Sequence, residues 1–360
     1  MPHRLIHGLR RQLKVYHQRS LTTAVVHLAV RLGVYAAAFV GTLTLASPGL
    51  RLFAALVAGV FSGSLFMIGH DACHGSYTSR HALNQVLGRI AFLPSYHTYS
   101  LWDLSHNRIH HVHTNLKGKD FVWTPLCKAE FDALPWPRRV LHRWFRTPLG
   151  LALYYPVEIW APRLVFPRKK HLDRPRRIYL ADRLLVLAWF AAQVVVIGVA
   201  GGRGDGWSGR AQDAGFALVV PWLVFNWMIG FVIYFNHTHP AVPWFDRPTE
   251  WAIAPSAIRA TVRLTFPRWT RTFASNIMDH VAHHVDPRVP LARLNEAQRH
   301  IEDALPGQIV VQAWSIRELR GILRRCKLYD YDAHRWTDFR GAPTTGRLVQ
   351  DVSDPRRESG

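Results

Sequence analysis

Four stretches of this 360-residue chain are apolar enough to cross a hydrocarbon layer, and they constrain its fold more than any other feature. A helix rises about 1.5 Å per residue, so a layer of roughly 30 Å takes about 20 apolar residues. The stretches cover residues 21–45, 52–69, 184–200 and 215–235. The last three hold no charged side chain, whereas the first carries His27 and Arg31; snorkelling toward an interface is the expectation for Arg31. Backbone polar groups inside hydrocarbon must be satisfied within their own segment, so the stretches are read as helices. The predicted fold class is all-α integral membrane, with four transmembrane helices and a helical cap.

Lys and Arg outnumber Asp and Glu by 45 to 24, and the distribution of the excess orients the spans. Arg4, Arg10, Arg11, Lys14 and Arg19 precede the first. Arg163, Arg168, Lys169, Lys170, Arg174, Arg176 and Arg177 precede the third. Basic loops stay on the cytoplasmic side, which puts both termini there and leaves the turn at 47–49 and the glycine-rich loop at 201–214 outside. Nucleic acid is excluded as a partner, because no zinc-finger spacing or compact basic domain accompanies the charge. Cys73, Cys127 and Cys326 are odd in number and far apart, which argues against a disulfide framework and for a reducing compartment. Residues 1–20 form a basic cytoplasmic leader without the apolar core of a signal peptide. The membrane domain is expected over 21–290, a polar cytoplasmic region over 291–340, and a disordered tail over 341–360. Amphipathic pieces at 82–93 and 149–160 belong to the interface or to the cap. Nothing in the chain sets an oligomeric state.

The chain has 21 histidines, and they gather where the spans end. The second span runs into His70-Asp71-Ala72-Cys73-His74, whose imidazoles, four apart on a helix, share one face. His106-Asn107-Arg108-Ile109-His110-His111 and His280-Val281-Ala282-His283-His284 form two further groups, and Asn236-His237-Thr238-His239-Pro240 follows the fourth span directly. Two out-and-back helix pairs bring all four groups to one side of the membrane, where they can share a site. Imidazole suits zinc, copper, nickel and iron. Ligand number narrows the choice: a structural zinc takes four ligands and a catalytic zinc three protein ligands, whereas the three groups supply His70, His74, His106, His110, His111, His280, His283 and His284, with one or two more from the group after the fourth span. Two metal ions fit better than one. No Glu is followed three residues later by His, which sets aside the carboxylate di-iron bundles.

These groups resemble the three histidine boxes of the membrane fatty acid desaturase and hydroxylase superfamily, in the family's order and with suitable spacing. The surrounding HDACHGS, HNRIHHVHTN and HVAHHVDPRVP match it beyond the histidines, as does Asp120-Phe121-Val122-Trp123-Thr124-Pro125. The resemblance covers about residues 64–290, and the Cys326–Asp330 stretch is familial too. HTHP after the fourth span and a third box opening with His280 rather than Gln look most like methyl-end, Δ12-type acyl-lipid desaturases. The resemblance implies an O2-dependent fatty acid desaturase that uses two Fe ions held by the box histidines and His237. Its substrate is a long acyl chain, expected on a membrane lipid, and the absence of a fused HPGG haem domain implies electrons from an external ferredoxin or cytochrome. Hydroxylase, acetylenase, epoxygenase and carotenoid ketolase chemistry use the same boxes and remain alternatives. A non-catalytic membrane metal-binding protein is a further one.

His113 and His239 are expected beside the ligands rather than among them. Asp71 and Asp279 adjoin box histidines and are candidates to orient imidazoles through the second ring nitrogen, with capping or solvation as the rival role. His81, His97 and His142 are read as lying near the boxes without ligating, and Cys73 as packing. Asn226 and Trp123 are the substrate-channel candidates.

Overall fold

The computed structural model describes residues 2–200, 206–267 and 275–349. It is mostly helical, with four helices long and apolar enough to cross a membrane: Leu21–Thr44, Pro48–Cys73, Arg177–Ala200 and Trp207–His237. Three of them begin earlier than the apolar stretches, because charged residues at their ends find partners. Arg51, buried near the start of the second span, pairs with the Asp213 carboxylate, donates to Thr42 O at 2.6 Å and lies over the Phe216 ring. Asp182, buried near the start of the third, takes Arg89 Nε at 2.7 Å. The expected outer loop is therefore helical over Trp207–Ala214, and a π-helical turn, Gly215–Val219, joins it to Val220–His237; residues 201–205 lie outside the described ones.

The second span is the axis of the bundle and packs against the first span, the fourth span and the helix His81–Phe92. Small residues set how closely the backbones approach. A Cβ on Gly230 in the fourth span would stand 2.1 Å from Leu151 O, and one on Gly59 in the second would stand 2.5 Å from Val224 Cβ. Overpacking of this kind costs about 1–3 kcal/mol or more. The third span packs little inside the chain: Leu184, Leu187, Val195 and Val199 are exposed on it, which is the surface expected of a helix that faces lipid. Arg31 does not simply snorkel. Its guanidinium donates to Ser64 O at 3.3 Å and to Ser275 Oγ at 3.0 Å.

Helices Leu294–Ala304 and Ile316–Arg325 follow the third box. Two small ladders interrupt the helical architecture. Val262–Thr265 pairs in parallel with Val310–Ala313, and Leu328–Asp330 pairs antiparallel with Arg335–Thr337. The tail expected to be disordered from residue 341 is tied down at its start, where Thr344 N donates to Trp336 O and Leu348 N to His334 O; residues 350–360 lie outside the described ones.

Candidate metal centre

The nine histidines singled out in the sequence come together. His70, His74, His106 and His283 form one cluster, and His110, His237, His280 and His284 a second; in each, four ring nitrogens lie within 4.8 Å of one another. A coordination sphere with metal–nitrogen bonds of about 2.1 Å has a diameter of about 4.2 Å, so either cluster can close on one ion with small adjustments. His111 lies between the two, its ring centroid 4.6 Å from His283 and 4.3 Å from His284.

Local backbone geometry produces this division. His70 and His74 are one turn apart at the end of the second span and join the same cluster. In the third box His280 and His284 are likewise one turn apart, while His283, rotated away from them, joins the other cluster. The second box is not α-helical: Leu104–His110 is a π-helix, and His111 N bonds back to His106 O. The wider turn, which often marks functional sites, lets His106 and His110 serve different clusters with His111 between them.

In the second cluster every imidazole is held from behind. Nδ1 of His237 faces Ala260 O at 3.2 Å and Nδ1 of His280 faces Ile277 O at 3.2 Å. Nδ1 of His110 lies 3.0 Å from Asp120 Oδ1. Thr114 donates its hydroxyl to His110 O and can only accept at the 3.1 Å contact from His284 Nδ1. Each acceptor fixes the ring proton on Nδ1 and leaves a lone pair on Nε2. Those Nε2 atoms then face one another, His237 and His280 at 2.9 Å and His280 and His284 at 3.1 Å. Acceptors facing acceptors at such distances repel unless a cation lies between them. The first cluster has the same deficit in another form: His70 Nδ1, His74 Nε2 and both nitrogens of His283 are buried without a protein partner. Burial, reinforced by the neighbouring imidazoles, holds His106, His111, His280, His283 and His284 well below the usual histidine range. Neutral imidazole is the form that binds metal.

Asp120 stands behind His110. Its carboxylate takes His110 Nδ1 together with the backbone amides of Asn115 and Val122. Burial alone would push its pKa up, but His110, His237 and the Asn115 amide outweigh this and hold it below the usual carboxylate range. The loop that wraps it has positive φ at Asn115 and Trp123, a rare conformation for a bulky side chain. Stacking of Trp123 on Tyr154, with ring centroids 3.6 Å apart, supports it there.

The two acidic neighbours of the boxes do something else. Asp71 accepts from Ser76 Oγ and Leu291 N, tying the end of the second span to the chain after the third box. Asp279 takes Arg263 and Asn295. Neither carboxylate is seen to bond a histidine: Asp71 is turned about 100° from His70 on their helix, and Asp279, in the non-helical position before His280, bridges to Arg263 instead. His113 bonds Ile109 O and stacks on Trp251, and His239 meets Gln312; both stand apart from the two clusters. Trp123 is fully buried against Tyr154 and Tyr234, and the Asn226 amide donates to Trp222 O of its own helix. Trp102 was not anticipated: it stacks on His106 with centroids 4.8 Å apart.

Four candidate spans capped by two buried histidine clusters define a polytopic membrane protein equipped to hold metal. The fatty acid desaturase family model matches residues 46–315, well over half of the chain, and the chain belongs to that family. It is 28% identical over 291 residues to the omega-6 fatty acid desaturase, chloroplastic, of Glycine max, covering 76% of this chain and 62% of that protein. It is 25% identical over 321 residues to the sn-1 oleoyl-lipid 12-desaturase of Synechocystis sp., covering 87% and 85%. The corresponding protein of Arthrospira platensis is 30% identical over 245 residues, covering 65% and 64%. The chain spans only 62% of the length of the first chloroplastic relative.

Proposed function

We propose that this chain is an O2-dependent desaturase that introduces a double bond into the middle or methyl-side part of a long acyl chain carried on a membrane lipid. Its nine clustered histidines would hold two iron ions. The observation that carries the reading is the facing of unprotonated Nε2 atoms across the second cluster, His237 to His280 at 2.9 Å and His280 to His284 at 3.1 Å, beside the first cluster of four histidines. Bound iron would supply the dioxygen activation needed to remove hydrogen from an unactivated methylene, which side chains alone lack. The chain's own part is to aim the ring nitrogens, exclude bulk water and position the tail.

An apolar cavity of ≈ 530 Å³ supports entry of the tail from the bilayer. It lies between the third span, the π-helix Tyr155–Val165 and the fourth span, with Trp160, Leu187, Phe190 and Trp222 in its wall. Tyr96 at its edge is followed by His97, whose ring packs on Trp102, and Trp102 stacks on His106. A second cavity of ≈ 390 Å³, lined by Arg10, Asn107, Trp251, His111 and His284, reaches the histidines from the side of the helix Pro2–Leu13. It supports delivery of electrons there by an external ferredoxin or cytochrome. The omega-6 and 12-desaturase names of the relatives agree with a Δ12-type position.

Expression in a host with simple lipids, with a compatible ferredoxin and reductase, tests the activity. Mass spectrometry of the fatty acids is expected to show a new species lighter by one pair of hydrogens, absent with His284→Ala. A species heavier by one oxygen would move the assignment to a hydroxylase, and oxidation of fed carotenoid alone would overturn the acyl substrate.

The basic loops support a topology with both termini and the histidines on the cytoplasmic side. Val112 and Trp207 are exposed at opposite ends of the bundle. A cysteine at position 112 is expected to label only from the cytoplasm and one at 207 only from outside; the reverse pattern would refute the orientation.

A further inference from the structure

A cavity of ≈ 810 Å³ is lined by none of the nine histidines. It opens between the first span, the second span and the segment that follows the third box. Thr23, His27 and Arg31 line it at four-residue intervals, one face of the first span, and Arg19 extends the row beyond the helix start. Side chains on a helix lean toward its N-terminus, so the Arg31 guanidinium is carried toward Arg19. Arg293 enters from the other wall.

These three guanidiniums are only partly matched by anions: Asp71 lies within electrostatic reach of Arg19 and Arg31, Asp286 within that of Arg19, and Arg293 pairs with Glu296. Arg31 donates only to neutral oxygens, Ser64 O and Ser275 Oγ, and Arg19 Nη2 to Arg288 O. Arg293 reaches Glu296 with a terminal nitrogen. The Nε atoms of Arg19 and Arg293 are buried without an acceptor. Asp71, the carboxylate in the lining, is engaged by Ser76 and Leu291. Leaving buried guanidinium donors unmatched is costly, and a planar N–H fork matches a phosphate oxygen pair. Farther along the first span the wall becomes apolar, with Val30, Val34 and Phe61, and Val30 is exposed on the outer surface of the bundle.

We infer that this cavity binds a phospholipid of the leaflet on the histidine side, with its phosphate among Arg19, Arg31 and Arg293 and a tail along Val30, Val34 and Phe61. An anionic head joined to an apolar body is the ligand that satisfies both halves of the lining. The inference does not depend on the acyl chain being desaturated, since the cavity is separate from the histidine clusters and its occupancy can be read without turnover.

The test uses the full-length, metal-loaded protein in detergent, with phosphatidylglycerol, uncharged diacylglycerol or inorganic phosphate added and the thermal unfolding midpoint followed. Phosphatidylglycerol is expected to raise the midpoint and to co-purify at one molecule per chain by native mass spectrometry. Diacylglycerol and inorganic phosphate should each have a much smaller effect. Arg31→Gln combined with Arg293→Gln is expected to weaken the phosphatidylglycerol response at least about tenfold in lipid concentration, while Arg210→Gln, exposed at the opposite end, leaves it unchanged. Should the double variant fail to fold, Arg31→Lys retains the charge but not the fork and should still weaken the response. An equal response of variant and wild type, or of diacylglycerol and phosphatidylglycerol, would overturn the site. An equally strong effect of inorganic phosphate would replace the lipid with a soluble anion and overturn the lipid assignment.

Discussion

Replacement of His74 or His284 by alanine is expected to abolish the proposed desaturation and to remove the proposed iron, while the protein still inserts and elutes as the wild type does. His74 belongs to one cluster and His284 to the other, so the pair probes both. Each supplies one of four nitrogens around a single position. Loss of one breaks the coordination shell rather than weakening it, and activity should fall by well over 100-fold, since even residues behind such ligands typically cost 10–100-fold. Folding should survive, because the clusters sit at the ends of spans whose packing lies elsewhere, along Gly59, Val224, Gly230 and Leu151. Metal analysis and size-exclusion chromatography of the two variants check this directly. Retention of full activity by either would remove that histidine from the site.

Asp120→Ala is expected to lower activity and iron affinity about 10–100-fold without emptying the site. Asp120 touches no cluster position itself and acts through His110, whose Nδ1 it holds at 3.0 Å. Without the carboxylate the His110 ring loses the acceptor that fixes its tautomer, and its Nε2 lone pair is no longer aimed at His237, His280 and His284. Asp120→Asn is the sharper variant, because an amide oxygen can still accept and should restore part of the loss. A merely structural role in the loop, where Asp120 also takes the Asn115 and Val122 amides, predicts lower thermal stability with unchanged iron content. Iron titration of the folded variants separates the two, and undiminished iron affinity in Asp120→Ala would sink the positioning role.

The membrane spans were legible in the sequence because each must satisfy its burial along its own length. Their ends were not, since Arg51 is accommodated by Asp213 and Asp182 by Arg89, partners far away in the chain. The gathering of the histidines was legible from the boxes and the loop charges together. Their division into two clusters was not: an α-helical reading of residues 104–110 places His106 and His110 on one face, whereas the π-helix hands them to different clusters. Asp71 is taken up by Ser76 and Leu291 and Asp279 by Arg263 and Asn295, while Asp120, ten residues after His110, returns to it through a loop whose left-handed Asn115 and Trp123 no local pattern announces. Asn226 and Trp123 looked available to a substrate as an amide in a span and an aromatic in a motif, yet one is engaged on its own helix and the other is stacked in the core.

The central claim, that two buried histidine clusters hold a pair of irons, is tested most directly by the metal content of the protein purified from iron-replete cells. The account predicts close to two irons per chain, falling in both His74→Ala and His284→Ala. Stoichiometric zinc without iron, or a single iron lost only in one of the two variants, would contradict it.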